Sequence, residues 1–341
     1  MNFDQIITDL KNKVFHPVYF LAGDEPYFID ELSDYIENNI LSEAEKSFDQ
    51  TVFYGRDADA QTIFNAARRF PMMSAHQVII VKEAQNVRDL IKEDSGKGKS
   101  ALLNYLDNPQ RNTLLVFCYK YKKLDKRTAL AKALAKKAVF FESAKLYENK
   151  IPEWINKYLQ TKQYSIHPKA AVLLAEYLGS DLSKIANELD KLMISIPPKS
   201  EINLDDIQKN IGISKDYNVF ELHDAFGRKN VLKINQIINY FAADPREHPL
   251  VMTIGTLGNY FSKLMLYHSL SDKSKGSVAS ALGVNPYFVA DYERAARNYS
   301  LGKIKSIFSY LREYDLKSKG YENVSADENE LLRELAFKII H

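Results

Sequence analysis

The sequence predicts an α/β N-terminal domain built on a parallel five-stranded sheet, followed by two all-α domains. Three observations carry this prediction. Up to residue 144, five short runs rich in β-branched and aromatic residues alternate with helical patterns, the signature of strands joined by crossover helices. The runs are apolar almost throughout rather than alternating, as expected for strands covered on both faces. From about Lys145 the strand signal vanishes and only helical periodicity remains.

The strand candidates are residues 18–21, 51–54, 78–81, 114–118 and 139–141. Helical patterns occupy residues 26–40, 58–69, 100–106 and 126–136, with Phe28, Ile29, Leu32 and Ile36 marking one face of the first. Beyond the α/β domain (1–144), residues 145–213 read as a small helical domain. Pro152-Glu153-Trp154 opens its first helix and Pro168 its second, which runs through Leu178. Gly179-Ser180-Asp181 breaks the chain before a third helix bearing Leu182, Ile185, Leu189 and Leu192. Asn203 is placed to cap a short fourth one. Residues 214–341 read as further helices, with breaks near Asp244-Pro245, Lys275-Gly276 and Asn285-Pro286.

Composition excludes several functions. The 341 residues are 45% hydrophobic and 26% charged, with a formal net charge of +2. These are the proportions of an ordinary soluble protein, and the charge does not announce a nucleic-acid binder. The first residues, Met1-Asn2-Phe3-Asp4-Gln5, have neither the basic nor the apolar segment of a secretory leader. No apolar run approaches the roughly 18 residues of a membrane span. The single cysteine, Cys118, is expected buried in a strand, and the seven histidines show no ligand-like clustering. A cytoplasmic protein without a metal or cofactor is expected.

The most telling segment is Val18-Tyr19-Phe20-Leu21-Ala22-Gly23-Asp24-Glu25-Pro26-Tyr27. A strand, a turn with a glycine and a helix N-terminus form the usual cradle for nucleotide phosphates. A working cradle needs G-x-x-x-x-G-K-[ST], whose amides and lysine neutralise the phosphates. Here Gly23 is followed by Asp24 and Glu25, which repel phosphate. The phosphate loop is therefore expected to be degenerate and non-binding. Gly98-Lys99-Ser100 matches the end of that pattern but lacks a preceding strand, and its surroundings read as a charged surface linker.

The same segment resembles the opening of the bacterial DNA polymerase III delta subunit family, clamp-loader subunits of the AAA+ class, where "Y-L-x-G-x-E-x-Y/F" replaces the phosphate loop. Lys123-Leu124-Asp125-Lys126-Arg127 is similar to the family's segment after its fourth strand. Gly179-Ser180-Asp181-Leu182 with Asn187-Glu188-Leu189-Asp190-Lys191-Leu192 resembles its "G-x-D-L…N-E-L-E-K-L" signature. The three patches lie in family order. The resemblance implies an AAA+/RecA-like first domain that binds and opens the beta sliding clamp, a small helical lid, and a helical collar. The collar would assemble with the gamma/tau ATPase and delta-prime subunits around primed DNA. It also implies an accessory polymerase subunit without a catalytic site. Two further ATPase elements are missing: Leu182 lies near the position where ATP-binding relatives carry a nucleotide-sensing arginine, and Lys82-Glu83 replaces an aspartate-glutamate pair that would help hold Mg²⁺.

Phe70-Pro71-Met72-Met73 is the sharpest candidate for contact with a partner. Pro71 disfavours helix at Phe70 and is expected to end the preceding helix, leaving both methionines on a short loop. Residue type alone favours padding of the core edge. The resemblance reverses this, because the delta family places at this position the apolar pair that inserts into the sliding clamp, usually as leucine and phenylalanine. The basic run Lys120, Lys122, Lys123, Lys126, Arg127, Lys132, Lys136 and Lys137 reads as a solvated helix face more readily than as a phosphate contact, with Ala129, Leu130, Ala133 and Leu134 on the buried side. Tyr310, Tyr314, Lys317, Lys319 and Tyr321 could stack on and neutralise unpaired DNA, or could pack between helices; Tyr314, Lys317 and Lys319 are the candidate DNA contacts. His167 and His248 each precede a proline at a helix start, a structural context. The rival function is an active AAA+ ATPase or helicase loader with an atypical phosphate loop; a plain DNA-binding protein is opposed by the near-neutral charge.

Overall fold

A computed structural model describes residues 1–91, 100–214, 216–321 and 326–341. Gly98 and Lys99 of the phosphate-loop decoy, with most of its linker, lie outside them. The chain divides into two compact units, Met1–Leu146 and Tyr147–His341.

The first unit is the expected parallel sheet. Its strands are β1 (Val18–Gly23), β2 (Gln50–Tyr54), β3 (Gln77–Lys82), β4 (Thr113–Lys120) and β5 (Val139–Ser143), in the order β2-β3-β4-β1-β5. Each extends the run legible in the sequence by up to three residues. Successive side chains point to opposite faces, so each central strand feeds two cores. Phe20, Ile79, Val81, Leu115 and Phe117 pack on one face with Ile63, Phe64, Leu102 and Leu134. Tyr19, Leu21, Val78, Ile80, Val116 and Cys118 pack on the other with Ile6, Ile29, Leu32 and Ile36. Fully burying one such side chain contributes about 1.5–3 kcal/mol. The edge strands β2 and β5 are partly exposed, where cover on both faces was expected.

The helices of this unit are α1 (Phe3–Lys11), α2 (Pro26–Asn39), α3 (Glu43–Asp49), α4 (Ala60–Ala67), α5 (Ala101–Asp107) and α6 (Ala129–Lys137). Two of them, α1 and α3, have no counterpart in the sequence reading. α4 stops at Ala67, short of the end expected from Pro71. The carbonyl of Ala67 accepts the buried hydroxyls of Thr113 at 3.0 Å and Tyr105 at 3.4 Å, so residues from β4 and α5 satisfy the helix end before proline can act. On α6 the buried side is Leu130, Ala131 and Leu134, and Ala129 is exposed.

The second unit holds α7 (Ile151–Thr161), α8 (Pro168–Leu178), α9 (Leu182–Ser195) and α10 (Leu204–Ile211), then α11 (Val219–Gly227) to α17 (Glu328–Ile340). The Gly179-Ser180-Asp181 break is structural punctuation. Gly179 ends α8 at a φ of 74°, and the Asp181 carboxylate accepts the Lys184 amide at 3.0 Å to cap α9. Asn203 caps α10 as expected, and His167 caps α8 through Nδ1. One feature departs from an all-helical reading: Ser165–Ile166 (β6) and Glu201–Ile202 (β7) pair in parallel, two residues each and too short to leave a periodic signal. The break expected near Lys275-Gly276 falls just ahead of it, because Lys275 opens a helix that runs to Leu282.

Candidate functional site

α3 runs into β2 without a loop, and this junction builds the site. Ser42 starts α3, its amide donating to Glu45 Oε2 at 2.8 Å. Seven residues later the helix ends on Asp49, whose side chain is buried, 1% exposed. The carboxylate accepts three successive backbone amides from the loop ahead of β3: Met72 at 2.5 Å, Met73 at 2.8 Å and Ser74 at 2.7 Å. Burial by itself would raise the carboxyl's pKa. The three amides outweigh it and hold Asp49 below the usual carboxylate range. The loop is pinned further along. The Ser74 hydroxyl donates to the His76 carbonyl, Asn112 Nδ2 donates to the Ala75 carbonyl at 3.0 Å, and the His76 ring packs edge-on against Phe15.

With its amides turned inward, the loop turns its apolar side chains out. Phe70 is 73% exposed, Met72 79% and Met73 58%. Neither methionine pads the core. Three large apolar side chains held in water on an anchored backbone form a surface with no role inside the domain.

At the opposite end of the parallel strands, the β1–α2 turn carries the second predicted feature. Gly23 has a φ of 141°, and a Cβ there would lie 2.0 Å from the Ser143 carbonyl oxygen of β5. Only glycine fits this approach. The next two residues fasten the turn. Glu25 is 3% exposed, and its carboxylate caps α2 by accepting the Tyr27 amide at 3.2 Å. The Ser143 hydroxyl donates to the Glu25 carbonyl at 2.7 Å. Asp24 pairs with Lys123 at 2.6 Å. The helix terminus that in a nucleotide-binding domain would receive phosphate thus receives the chain's own carboxylate.

The neighbouring strand ends carry lysines. Lys82, closing β3, lies 2.8 Å from Glu37 and 3.8 Å from Asp34. Lys120, closing β4, lies 2.5 Å from Asp30. Asp30, Asp34 and Glu37 line one face of α2 at i, i+4 and i+7. These partly exposed pairs add little stability; their effect is to fill with ammonium groups the strand ends where a metal would need oxygen ligands.

Other members of the basic run are similarly engaged, Lys126 with Glu142, Arg127 with Asp125 and Lys137 with Asp107. Near the C-terminus the structure corrects one expectation. Tyr314 is fully buried in the helical core and cannot stack on a base. Lys317 sits over its ring at 4.8 Å and pairs with Glu313, and Lys319 pairs with Asp315. Of the spacing that resembled a stacking platform, Tyr314 lies in the helical core and Tyr310 packs against it, while Tyr321 is exposed. His248 stacks on Phe241 with ring centroids 4.2 Å apart, also a packing role.

Sequence reasoning missed Asp49. Its three partners lie 23 to 25 residues away, and a lone aspartate before a strand carries no local signal. Among the described residues no group of three or more His, Cys, Asp or Glu side chains is placed to hold a metal, and no helix is long and apolar enough to cross a membrane.

The comparisons with known proteins converge. Residues 19–144 match the family model of the DNA polymerase III delta subunit, and residues 216–335 match that of its C-terminal domain. The DNA polymerase III subunit delta of Bacillus subtilis is 29% identical over 322 residues, spanning 94% of this chain and 92% of that protein. A probable delta subunit from Aquifex aeolicus is 22% identical, over 89% of this chain and 86% of that protein. Among solved structures, the Bacillus subtilis DNA clamp loader delta protein superposes with a TM-score of 0.53 at 25% identity, covering 99% of both chains. Two family models in order along one chain, full-length relatives and a matching fold agree: this chain belongs to the DNA polymerase III delta subunit family.

Proposed function

We propose that this chain binds and opens the beta sliding clamp as the delta subunit of a clamp loader, and that Phe70, Met72 and Met73 are its anchor. The observation that carries the reading is three exposed apolar side chains on a loop fixed by a buried carboxylate, in a chain of this family. Methionine is flexible and polarizable, suited to filling an apolar pocket on a partner. Opening follows from differential affinity, since a subunit that binds the open ring better than the closed one shifts that equilibrium. A shift from about 1% to 99% open needs about 5.5 kcal/mol of difference, of which a packed apolar anchor supplies several.

In the same reading the chain does not hydrolyse ATP. Glu25 at the helix terminus and Lys82 and Lys120 at the strand ends support this, and the gamma/tau ATPase neighbours would supply the hydrolysis. Residues 145–213 would serve as the lid and residues 214–341 as the collar that meets gamma/tau and delta-prime around primed DNA. The family's C-terminal match from residue 216 supports that division.

The decisive experiment measures clamp affinity and thermal stability on one variant, Met72→Ala/Met73→Ala. As hot-spot contacts, the pair is worth at least about 2 kcal/mol, or roughly 30-fold in affinity. Weakened binding with an unchanged melting curve supports the anchor. A variant that binds the clamp as tightly as its parent refutes it.

A further inference from the structure

We propose that Asp49 is a positioning residue for clamp recognition: its buried carboxylate fixes the backbone of Met72, Met73 and Ser74 and so sets how much of the protein is competent to bind. This rests on the reading of Met72 and Met73 as the clamp anchor and adds to it a residue that does not touch the clamp.

The argument starts from what an isolated loop would do. Three large apolar side chains exposed side by side lower their free energy by folding back onto the domain and covering one another. The exposures of Phe70, Met72 and Met73 show that this collapse does not occur. Collapse would have to strip the Met72, Met73 and Ser74 amides from Asp49. Bonds from backbone N–H to an ionised carboxylate are among the stronger hydrogen bonds, and a buried carboxylate left without them would be an unpaired charge. Asp49 thus plays toward this loop the part that a bound anion plays in a nest of successive amides. The α3–β2 junction is what carries the carboxylate to that point.

Binding strength then depends on preorganisation. A loop held in its binding conformation pays no ordering cost on contact, and apparent affinity scales with the fraction of protein already competent. Asparagine at position 49 is isosteric but neutral. Its one oxygen cannot serve amides that now reach both carboxylate oxygens, and its NH₂ group would face an N–H donor. If the loop is then ordered in about one molecule in ten, clamp affinity falls about tenfold.

The test is a double-mutant cycle on the full chain, read as affinity for the purified sliding clamp well below the melting transition. It is paired with amide hydrogen exchange at residues 72–74 in the free protein. Asp49→Asn should weaken binding about tenfold in the parent, and by less than about twofold when Met72 and Met73 are already alanine, because coupled residues are not additive. Exchange at the Met72, Met73 and Ser74 amides should speed up in Asp49→Asn. Equal losses of affinity in both backgrounds, or parent-like affinity in Asp49→Asn, overturn the proposal. If Met72→Ala/Met73→Ala leaves binding unchanged, the anchor reading falls separately; exchange then decides, and unchanged protection in Asp49→Asn overturns the positioning role as well. A lower melting temperature in Asp49→Asn does not obscure these outcomes, since both readouts are taken on folded protein.

Discussion

The two loops at opposite ends of the parallel strands use the same device for opposite purposes. Where β1 leaves the sheet, buried Glu25 takes an amide of its own helix. Where the chain enters β3, buried Asp49 takes three amides of a loop and keeps it open toward solvent. In both, a carboxylate stands in for an external anion on backbone N–H groups. What differs is the side chains left outside: Asp24, paired with Lys123, at the first loop, and Phe70, Met72 and Met73 at the second. In the function proposed above, the first loop is closed to phosphate and the second is offered to a partner.

The comparison breaks most sharply at Gly23. Gly23→Ala drives a methyl into the Ser143 backbone and forces alanine into a positive φ. The expected loss is about 4 kcal/mol, at the upper end for a single substitution. Urea unfolding of the full chain measures it, and a loss below about 1 kcal/mol would show that β5 yields and that the turn is not closed by this contact.

A smaller effect sharpens the role of Glu25. Glu25→Ala removes the cap of α2 and should cost about 1 kcal/mol. Calorimetric titration of the parent with MgATP should give no heat of binding. Micromolar affinity would mean the first loop is still a cradle, and the contrast with the second would disappear.

The smallest effect appears only in acid. The pKa of Asp49 is lowered in the fold from its ordinary 3.8, so the unfolded chain takes up this proton first as pH falls. The carboxylate's contribution is therefore complete above 3.8 and is lost as pH drops below that value toward the folded pKa. The stability gap between the parent and Asp49→Asn should be constant from pH 7 to 5 and shrink toward pH 3. A gap that closes already near neutrality would place the carboxylate's pKa on the raised side and remove the anion-like reading.

Much of this molecule is legible in its sequence, and the reasons are local. Val18, Phe20, Ile79, Val81 and Phe117 announce strands because a strand covered on both faces leaves a contiguous apolar run. Gly179, Asp181 and Asn203 announce helix ends because caps act over three or four residues. The missing lysine and the acidic pair after Gly23 could be read directly, and so could an apolar pair beside Pro71. What only the tertiary structure decided is which side of a boundary each group falls on. Thr113 and Tyr105, far along the chain, end α4 before Pro71 can. Tyr314 goes to the core although its spacing suits a surface. Asp49 becomes the anchor of a loop more than 20 residues away. In each case the deciding partner is distant in sequence, and burial and hydrogen bonding depend on which groups the fold brings within about 3 Å, a distance that no local pattern encodes.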